Sequence, residues 1–543
     1  MNKLKLNILS LGLLCFGITG CSESYLDVES TTNVTTENYY KTIDDADRAL
    51  IGCYDGWQCT TSNGNLSIYV ASQVMSDECF GGTGNTDGKG YQAIDRFDIS
   101  VSSSDANLFN GTWNDYYAGI FRCNTLLQKL DQIDWKGDDQ IRKRVEGETR
   151  ALRAIMYFDL ARLFGSVPLL TGPTAENLPQ AEPAEIYKLI AEDLKFAADN
   201  IPTNAYPKAN ASTNDGRITC YAAKALLARV YLFYTGYYGA SDLVGVVTKE
   251  QALAGLEDVI SSKEYDLVPE FKNLWPAASS TPVKGKFEFV STYAGDGNIE
   301  TVLSMKFNTT QDYNGNQDGN RWLVMMGMRN TNWSPYGKGW GACTVHPKVW
   351  NAFESGDKRK TASIIDLVGE GIESSFDLKD QREYTGYTVK KYTPMAFYDG
   401  TSASKADGSG DFQTSQHQDF VVVRYADVLL MAAELGSSNA QLYFDKVRSR
   451  AGLTTKEPSQ ENIMKERFVE FAFEGQRYWD LLRQGIDVAS STIAESGIEL
   501  KSGGNPDVIT ITADKIKTTK GFCQIPSTQI TLSDNVLKQN AGW

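Results

Sequence analysis

Residues 146–170 read EGETRALRAIMYFDLARLFGSVPLL, and this stretch decides the fold. Between positions 151 and 164 only three side chains are charged, so apolar and aromatic residues point in every direction around a helix of 3.6 residues per turn. A helix of that kind must be covered on most of its sides. The stretch therefore predicts an inner helix of a helical stack. We expect Gly165 to end this helix in a left-handed cap and Pro168 to prevent the helix from continuing.

The composition is that of a large globular protein with an acidic balance. The chain has 543 residues, of which 41% are hydrophobic and 22% are charged, so it can bury a large core. Its net charge of −15 argues against a nucleic-acid partner, because proteins that bind phosphate backbones need basic patches. The longest basic run is Lys358-Arg359-Lys360. We therefore expect no nucleic acid among its partners.

The N-terminal residues predict an export signal followed by a tether. Two lysines precede a short apolar core at 6–17, and Ile18-Thr19-Gly20-Cys21 has the form of a bacterial lipobox. We predict a lipoprotein signal peptide over 1–20, lipidation of Cys21 and a polar, acidic tether over 21–40. The alternative is an ordinary secretory peptide in which Cys21 is incidental. No later apolar run approaches the ~20 residues of a membrane-spanning helix.

Helical periodicity dominates residues 41–264. Small residues stand where helices would cross and aromatic residues stand beside them, which is typical of tetratricopeptide-like helix pairs. The helical patterns lie at 44–57, 107–133, 140–164, 182–202, 218–239 and 253–262. No strict 34-residue repeat is present, so the pattern alone predicts helix pairs and leaves the repeat length open.

The second half of the chain changes character twice. Residues 265–419 are rich in Gly, Asn, Ser, Thr and Asp, and short apolar runs at 287–293 and 301–307 predict strands. Helical patterns return in the C-terminal region 420–543, at 420–435, 439–453 and 461–485. We predict a mostly α fold, in which a tetratricopeptide-like helix-pair scaffold carries an irregular, loop-rich region with short strands.

Five segments of the chain resemble one protein family. They are RALRAIMYFDLARLFGSVPLL in the opening stretch, PKVWNAFESGDKRKTASI at 347–364, FVVVRYADVLLMAAEL at 420–435, ENIMKERFVEFAFEGQRYWDLLRQG at 461–485 and QIPSTQITLSDNVLKQNAGW at 524–543. In this order they resemble the SusD/RagB family, surface lipoproteins with which gut-type Bacteroidota capture nutrients. The resemblance implies a lipid-anchored protein on the outer membrane that binds a glycan and covers a SusC-like TonB-dependent transporter.

The charged residues of 461–485 have a structural interpretation. Arg467, Glu470, Glu474 and Arg477 recur at spacings of three and four, so we expect opposite charges to support one another along one helix face. The chain has only two histidines and no GxSxG, HExxH or phosphate-binding glycine motif. We therefore predict that the protein is not an enzyme, and we expect no cofactor.

Aromatic residues on loops are the first candidate for a ligand site. Trp322, Trp333, Tyr336 and Trp340 fall within the glycine-rich segment 320–341, and Tyr313 precedes it. Large aromatic rings on loops that a rigid scaffold holds are suited to stacking on sugar rings. Members of the resembling family bind glycans through such platforms. The alternative for each single residue is that it fills the core of the irregular region.

The loop at 76–97 is the second candidate for the site. Its glycine-rich sequence is SDECFGGTGNTDGKGYQAIDRF, and its position ahead of the helix pairs matches a loop that contributes to the binding face in the resembling family. Asp77, Tyr91 and Arg96 would supply polar and stacking contacts. The alternative is that its glycines serve turns alone.

Neither the cysteines nor the acidic residues predict a metal site. Seven cysteines remain when the cysteines of the signal peptide and the lipid anchor are left out. Their number is odd and they contain no CxxC pair, so we expect no zinc site. Cys123 and Cys220 have the pattern of small buried residues, and a bridge from Cys59 to Cys53 or to Cys79 stays open. Residues 314–319 begin like a calcium-binding EF-hand loop, but a methionine stands where the loop needs its bidentate glutamate.

The sequence leaves three ligand classes open. By resemblance the first is an extracellular oligosaccharide or polysaccharide. A peptide or protein, as RagB-type relatives capture, is the second. A mainly structural lid on the transporter, with little ligand affinity of its own, is the third. Neither the sugar nor its linkage follows from the sequence.

Overall fold

The computed structural model describes residues 39–62, 66–102, 107–172, 174, 176–208, 216–312, 316 and 318–543. The signal peptide, the lipid-anchor residue Cys21, nearly all of the tether and the candidate site residue Tyr313 lie outside these ranges. The fold is mostly α-helical with short strands, as the sequence predicts. One connected core runs from Ala46 to Leu537, so the three sequence regions pack into one body.

Helices α1 to α8 form the N-terminal scaffold. They are α1 Ile43–Ser62, α2 Ile68–Val74, α3 Gly90–Asp95, α4 Asn110–Lys129, α5 Asp139–Phe164, α6 Pro183–Asn200, α7 Cys220–Tyr238 and α8 Lys249–Ser261. The long helices pack in chain order, α1 on α4, α4 on α5, α5 on α6, α6 on α7 and α7 on α8. This stacking of neighbours confirms the tetratricopeptide-like scaffold.

The described α-helices that follow residue 264 are short, with 4 to 11 residues each. They are α9 Pro276–Ser279, α10 Arg321–Met326, α11 Pro347–Ala352, α12 Lys360–Ser363, α13 Tyr425–Glu434, α14 Ala440–Arg450, α15 Gln460–Glu470, α16 Arg477–Leu482, α17 Ile486–Ile493, α18 Ala513–Thr519 and α19 Ser527–Leu532. Helix α13 packs on α8 and on α14, so the stack of helices continues into the C-terminal region.

Helix α5 is the inner helix that its sequence predicts. Every residue from Ala151 to Phe164 is buried. The charge of Arg153 is compensated there by Asp193, which accepts two hydrogen bonds of 2.8 and 2.9 Å from the guanidinium group. Gly165 ends the helix with φ 75° and ψ −76°, so φ is positive as expected, but ψ lies outside the left-handed helical region.

The strands are short and lie mostly in the loop-rich region. They are β1 Cys79–Gly81, β2 Ser280–Pro282, β3 Phe289–Ser291, β4 Thr301–Met305, β5 Met328–Arg329, β6 Lys338–Gly339, β7 Cys343–Val345, β8 Ile364–Asp366, β9 Tyr387–Val389, β10 Phe420–Arg424, β11 Glu495–Ser502 and β12 Asn505–Ile511. The strands expected at 287–293 and 301–307 are present as β3 and β4.

The strands form one small sheet and several pairs. β1, β7, β9 and β8 make a four-stranded antiparallel sheet in that order, with Cys79 opposite Val345. β4 pairs with β10, β2 with β3 and β11 with β12, all antiparallel, whereas β5 and β6 are parallel. Because β1 belongs to the 76–97 loop and β7 follows the 320–341 segment, the sheet brings the two candidate site segments together.

Two of the expected helices are wrong in part. Residues 420–435 begin with strand β10, because three consecutive valines favour an extended backbone, and only then continue as helix α13. Residues 461–485 form two helices, α15 and α16, which are separated by a break. Phe473 and Gly475 have φ values of 65° and 73° in that break, a conformation that no helix interior accepts.

The break gives the charged residues of this segment other partners than expected. Arg467 pairs with Asp427 and Asp480, and Arg477 pairs with Asp77. The charges therefore do not support one another along one helix face.

Glu470 and Glu474 belong to a buried ion network of ten side chains. Its cations are Arg359, Lys391, Arg424, Arg448 and Arg450, and its anions are Glu300, Asp357, Glu466, Glu470 and Glu474. All ten are buried. Burial acts to raise the pKa of Glu470, but Arg450, Arg424 and Arg359 hold that pKa below its usual range. The network joins α12, β10, α14 and α15, so its role is structural.

All seven cysteines that the structure describes are free thiols. Cys123 and Cys220 are buried in α4 and α7, which confirms them as small core residues. The bridges that the sequence left open, from Cys59 to Cys53 or to Cys79, are not formed.

Candidate functional site

Trp322 does not present its ring to a ligand, contrary to the expectation from sequence. It is 1% exposed at the start of α10. Its ring lies 4.3 Å from those of Tyr392 and Phe420 and 5.6 Å from that of Tyr69, measured between centroids. Trp322 therefore packs in the core, because segments that are distant in sequence cover it.

Tyr336 and Trp340 are positioned from within the protein. Tyr336 is buried, and its hydroxyl donates a hydrogen bond of 2.7 Å to Glu370. Trp340 is half-buried against the core, and the guanidinium carbon of Arg321 lies 5.4 Å from its ring centroid. Tyr336 is thus a supporting residue, and only part of the Trp340 side chain reaches the surface.

Trp333 lies at the surface. Its side chain is 37% exposed. A tight turn positions it, because the Trp333 N–H donates to the Tyr336 carbonyl at 2.9 Å and the Tyr336 N–H donates back at 2.8 Å. Tyr336 in turn is anchored in the core. A buried tyrosine thus fixes an exposed tryptophan.

Two further exposed aromatic residues lie on neighbouring loops. The Pro335 carbonyl accepts a hydrogen bond of 2.8 Å from Ala396 N–H, so the Trp333 turn packs on the turn at 397–401 that contains Tyr398. Tyr398 is 50% exposed and Phe287 is 46% exposed. The ring of Phe287 lies 5.1 Å from the buried Phe397 of the same turn. We call Trp333, Tyr398 and Phe287 the aromatic platform.

Tyr398 and Phe287 are not among the site residues predicted from the sequence. Tyr398 directly precedes Asp399-Gly400, and Asp-Gly dipeptides mark exposed turns, so the same reasoning that selected Trp333 would have found it. Phe287 carries no such signal. It lies in the connection of a hairpin whose strands are only three residues long.

The three side chains expected to bind ligand from the 76–97 loop are engaged within the protein. Asp77 is 3% exposed and forms two hydrogen bonds of 2.7 and 2.8 Å with Arg477. Tyr91 is half-buried, with its hydroxyl 3.3 Å from the sulfur of Met325. Arg96 pairs with the buried Glu383. These contacts hold the loop in place. Asp77 is buried and therefore has a supporting role, whereas ligand contact by Tyr91 and Arg96 stays a prediction.

The tip of this loop nevertheless meets the aromatic segment. Residues 85–89 are exposed, and Asp87 lies 3.2 Å from Arg329, four residues before Trp333. Arg329 also donates a hydrogen bond of 2.9 Å to Asp380. Arg382 donates to the carbonyl of Asn85 at 2.9 Å. The two candidate segments thus share one polar surface, which is joined through Arg329.

Metal binding finds no support in the described ranges. They contain no group of three or more His, Cys, Asp or Glu side chains arranged to hold an ion. Part of the 314–325 stretch that begins like an EF-hand lies outside those ranges. Within them, the carboxylate of Asp318 accepts hydrogen bonds from Asn308 at 3.2 Å and Thr310 at 2.9 Å. These bonds are those of a polar turn.

Comparisons with known proteins match most of the chain. A model described as SusD family matches residues 371–543, and one described as starch-binding associating with outer membrane matches residues 24–232. SusD-like protein P2 of Formosa agariphila is 22% identical, with both chains covered completely. A SusD-like protein of Bacteroides ovatus is also 22% identical, over 88% of this chain and 82% of its own.

Solved structures share the fold over nearly the whole length. Surface glycan-binding protein A from Bacteroides thetaiotaomicron, in complex with laminarihexaose, superposes with a TM-score of 0.72 at 23% identity, covering 92% of this chain and all of the other. A laminarin-binding SusD-like protein gives a TM-score of 0.69 at 26% identity, covering 93% of this chain and all of its own.

No helix in the part of the chain that the structure describes is both long and apolar enough to cross a bilayer. The helix-pair scaffold, the sequence segments that led to it and these matches agree with one another. The chain belongs to the SusD/RagB family.

Proposed function

We propose that the protein binds an extracellular glycan at the aromatic platform and hands it to a SusC-like TonB-dependent transporter. One observation carries the proposal. Three exposed rings, those of Trp333, Tyr398 and Phe287, project from three neighbouring loops that buried side chains hold in place. A contiguous patch of exposed apolar side chains marks a binding surface, whereas singly scattered ones do not, and we propose that these three rings form one such patch.

The chemistry of the platform suits a sugar chain. A pyranose ring has an apolar face, which an aromatic ring covers, and hydroxyl groups at its edge, which need polar partners. Polar side chains border the platform. Asn332 is exposed beside Trp333, and Asp399 is exposed beside Tyr398. The loops that carry the platform are held by buried side chains of the irregular region, such as Tyr336 and Phe397, and a site held in this way loses less conformational entropy on binding.

The comparisons support a glycan as the ligand class. One structural neighbour is a surface glycan-binding protein that holds laminarihexaose, and another is named laminarin-binding. The description starch-binding associating with outer membrane supports an outer-membrane location. On this proposal Cys21 carries the lipid anchor at the cell surface, the transporter is the main protein partner and the protein performs no catalysis.

Alanine substitution of two platform residues tests the site. We expect Trp333→Ala combined with Tyr398→Ala to weaken binding about 5- to 150-fold, since each aromatic contact contributes about 0.5–1.5 kcal/mol beyond its buried area. Isothermal titration calorimetry against a panel of polysaccharides that includes laminarin measures the loss. Phe121→Ala is the matched control, because Phe121 is 56% exposed on α4, away from the platform, and its loss should leave affinity unchanged.

The result also separates the three ligand classes. A folded double variant with unchanged glycan affinity would refute the platform. Heat from a peptide digest, with none from any glycan, would favour peptide capture. No binding to either, together with co-purification of the transporter, would favour a structural lid.

A further inference from the structure

A cavity opens beside helix α1, and none of the three platform residues lines it. Its volume is about 290 Å³, just below the range of about 300–1,000 Å³ for ligand sites. Ile51 and Tyr54 form one wall, one helical turn apart on α1. Lys306 and Asn308, which follow strand β4, and Arg217, which precedes α7, form the other wall. We call it the α1 cavity.

The charged groups around the α1 cavity have partners within the protein. Arg217 lies 3.3 Å from the buried carboxylate of Glu148. Lys306 pairs with Asp419, and Asp55 pairs with Arg122. Asp318 also lines the cavity, and its carboxylate accepts hydrogen bonds from the neutral side chains of Asn308 and Thr310. A charged ligand would have to compete with these pairs and lose its hydration. An uncharged ligand with hydroxyl groups can form hydrogen bonds with the remaining lone pairs and N–H groups of these ion pairs without separating the paired charges.

The same walls offer an apolar face and a donor. Ile51 is 55% exposed at the cavity, and the ring of Tyr54 lies beside it. Tyr54 is held in place, because its hydroxyl donates to Glu148 at 2.6 Å and Arg217 lies 5.2 Å from its ring centroid. Trp57 also lines the cavity, but its indole N–H is buried and does not reach the cavity surface. The side-chain amide of Asn308 supplies the donor on the opposite wall. A ligand that fits this lining has one apolar face and several hydroxyl groups.

We propose that the α1 cavity binds a single uncharged sugar or polyol unit, as a second site separate from the aromatic platform. The unit is either a free monosaccharide or one residue of a longer chain. Both sources present the same ring and hydroxyl groups. The proposal does not depend on glycan binding at the platform.

Ligand-observed NMR with defined probes tests the site. Saturation-transfer titrations of the purified protein use glucose, galactose, mannose and xylose, followed by linear oligosaccharides of the same sugars. We expect Ile51→Ala to weaken the affinity about threefold and Ile51→Glu about tenfold, because the apolar contact is first reduced and then replaced by a charge. Leu442→Ala and Leu442→Glu are the matched controls, since Leu442 is 64% exposed on α14 and does not line the cavity.

The outcomes separate this site from the platform. Monosaccharide binding supports a free-sugar site if the Ile51 variants weaken it and the Trp333→Ala, Tyr398→Ala variant does not. Binding of oligosaccharides only, weakened by the same Ile51 variants, supports a site for one residue of a chain. In the Trp333→Ala, Tyr398→Ala background, binding that is insensitive to Ile51, or no binding of any probe by the folded protein, would overturn the proposal. Failure of the platform leaves each of these results unchanged.

Discussion

Glu470→Gln tests the buried ion network, because it removes one charge and almost no volume. Glu470 is fully buried and accepts hydrogen bonds of 2.9 Å from both Arg424 and Arg359, and it also pairs with Arg450. The ten-membered network has five positive and five negative groups. The variant leaves five positive groups against four negative ones. Removing one partner from a buried ion pair costs about 3–5 kcal/mol, because the remaining charge stays buried without compensation.

The expected shift of the melting temperature follows from the chain length. An unfolding entropy of about 2.1 cal/mol/K per residue gives ~1.1 kcal/mol/K for 543 residues, so Tm falls by about 3–4 °C. Differential scanning calorimetry measures the shift. Glu461→Gln is the matched control on the same helix, since its carboxylate is 76% exposed and pairs only with Lys465 among the described residues. We expect no measurable shift for the control.

A compensating variant checks the reasoning from charge balance. Glu470→Gln combined with Arg450→Met leaves four groups of each sign, so we expect it to recover part of the lost Tm. Equal Tm values for Glu470→Gln and Glu461→Gln would refute the structural role of the network. Loss of glycan binding in a fully stable Glu470→Gln variant would show instead that Glu470 acts at a ligand site.

Three further expectations concern stability. The free energy of unfolding should fall as the pH drops below about 4.3, because Glu470 has a lower pKa in the folded state than in the unfolded chain. Protonation of Glu470 removes its stabilising contribution. Measurement of the free energy of unfolding as a function of pH tests this. Gly165→Ala should lower the free energy of unfolding, measured by chemical denaturation, by more than about 1 kcal/mol, because its Cβ would lie 2.8 Å from the Phe522 ring and φ is positive there. Gly52→Ala is the control, since a Cβ at Gly52 would meet open space, and it should not destabilise the protein. Trp322→Ala should cost about 3–5 kcal/mol in the same assay, as a buried core residue does, and a cost under about 0.5 kcal/mol would show an exposed ring.

The helices were predictable because their signal is local. The apolar pattern of α5 repeats within 26 residues, and Asp138 caps it through two hydrogen bonds of 3.0 Å to the next turn. The same holds for α6 and α7, whose bounds agree with the sequence patterns to within two residues. The break between α15 and α16 was not predictable, because the periodic pattern continues across it. Phe473 takes a positive φ there while its N–H donates to Glu78, almost 400 residues away.

The sequence selected two segments that lie at one surface, but only Trp333 of the three platform residues belongs to either of them. Both the 320–341 segment and the 76–97 loop lie at one surface, and Arg329 joins them. The sequence did not predict which aromatic side chains are exposed. Trp322 and Trp333 lie eleven residues apart in the same glycine-rich segment, yet one is 1% and the other 37% exposed.

The sequence by itself determined the helical scaffold, the loop-rich character of 265–419 and the family, since periodicity, turn residues and sequence segments are properties of neighbours along the chain. The tertiary structure alone decided which aromatic residues form the platform, which charges pair and where the α1 cavity opens. Each of these depends on the burial of one segment by another. Trp322 is covered by Tyr69 and Tyr392, and the sequence around Trp322 does not indicate that these two distant residues contact it.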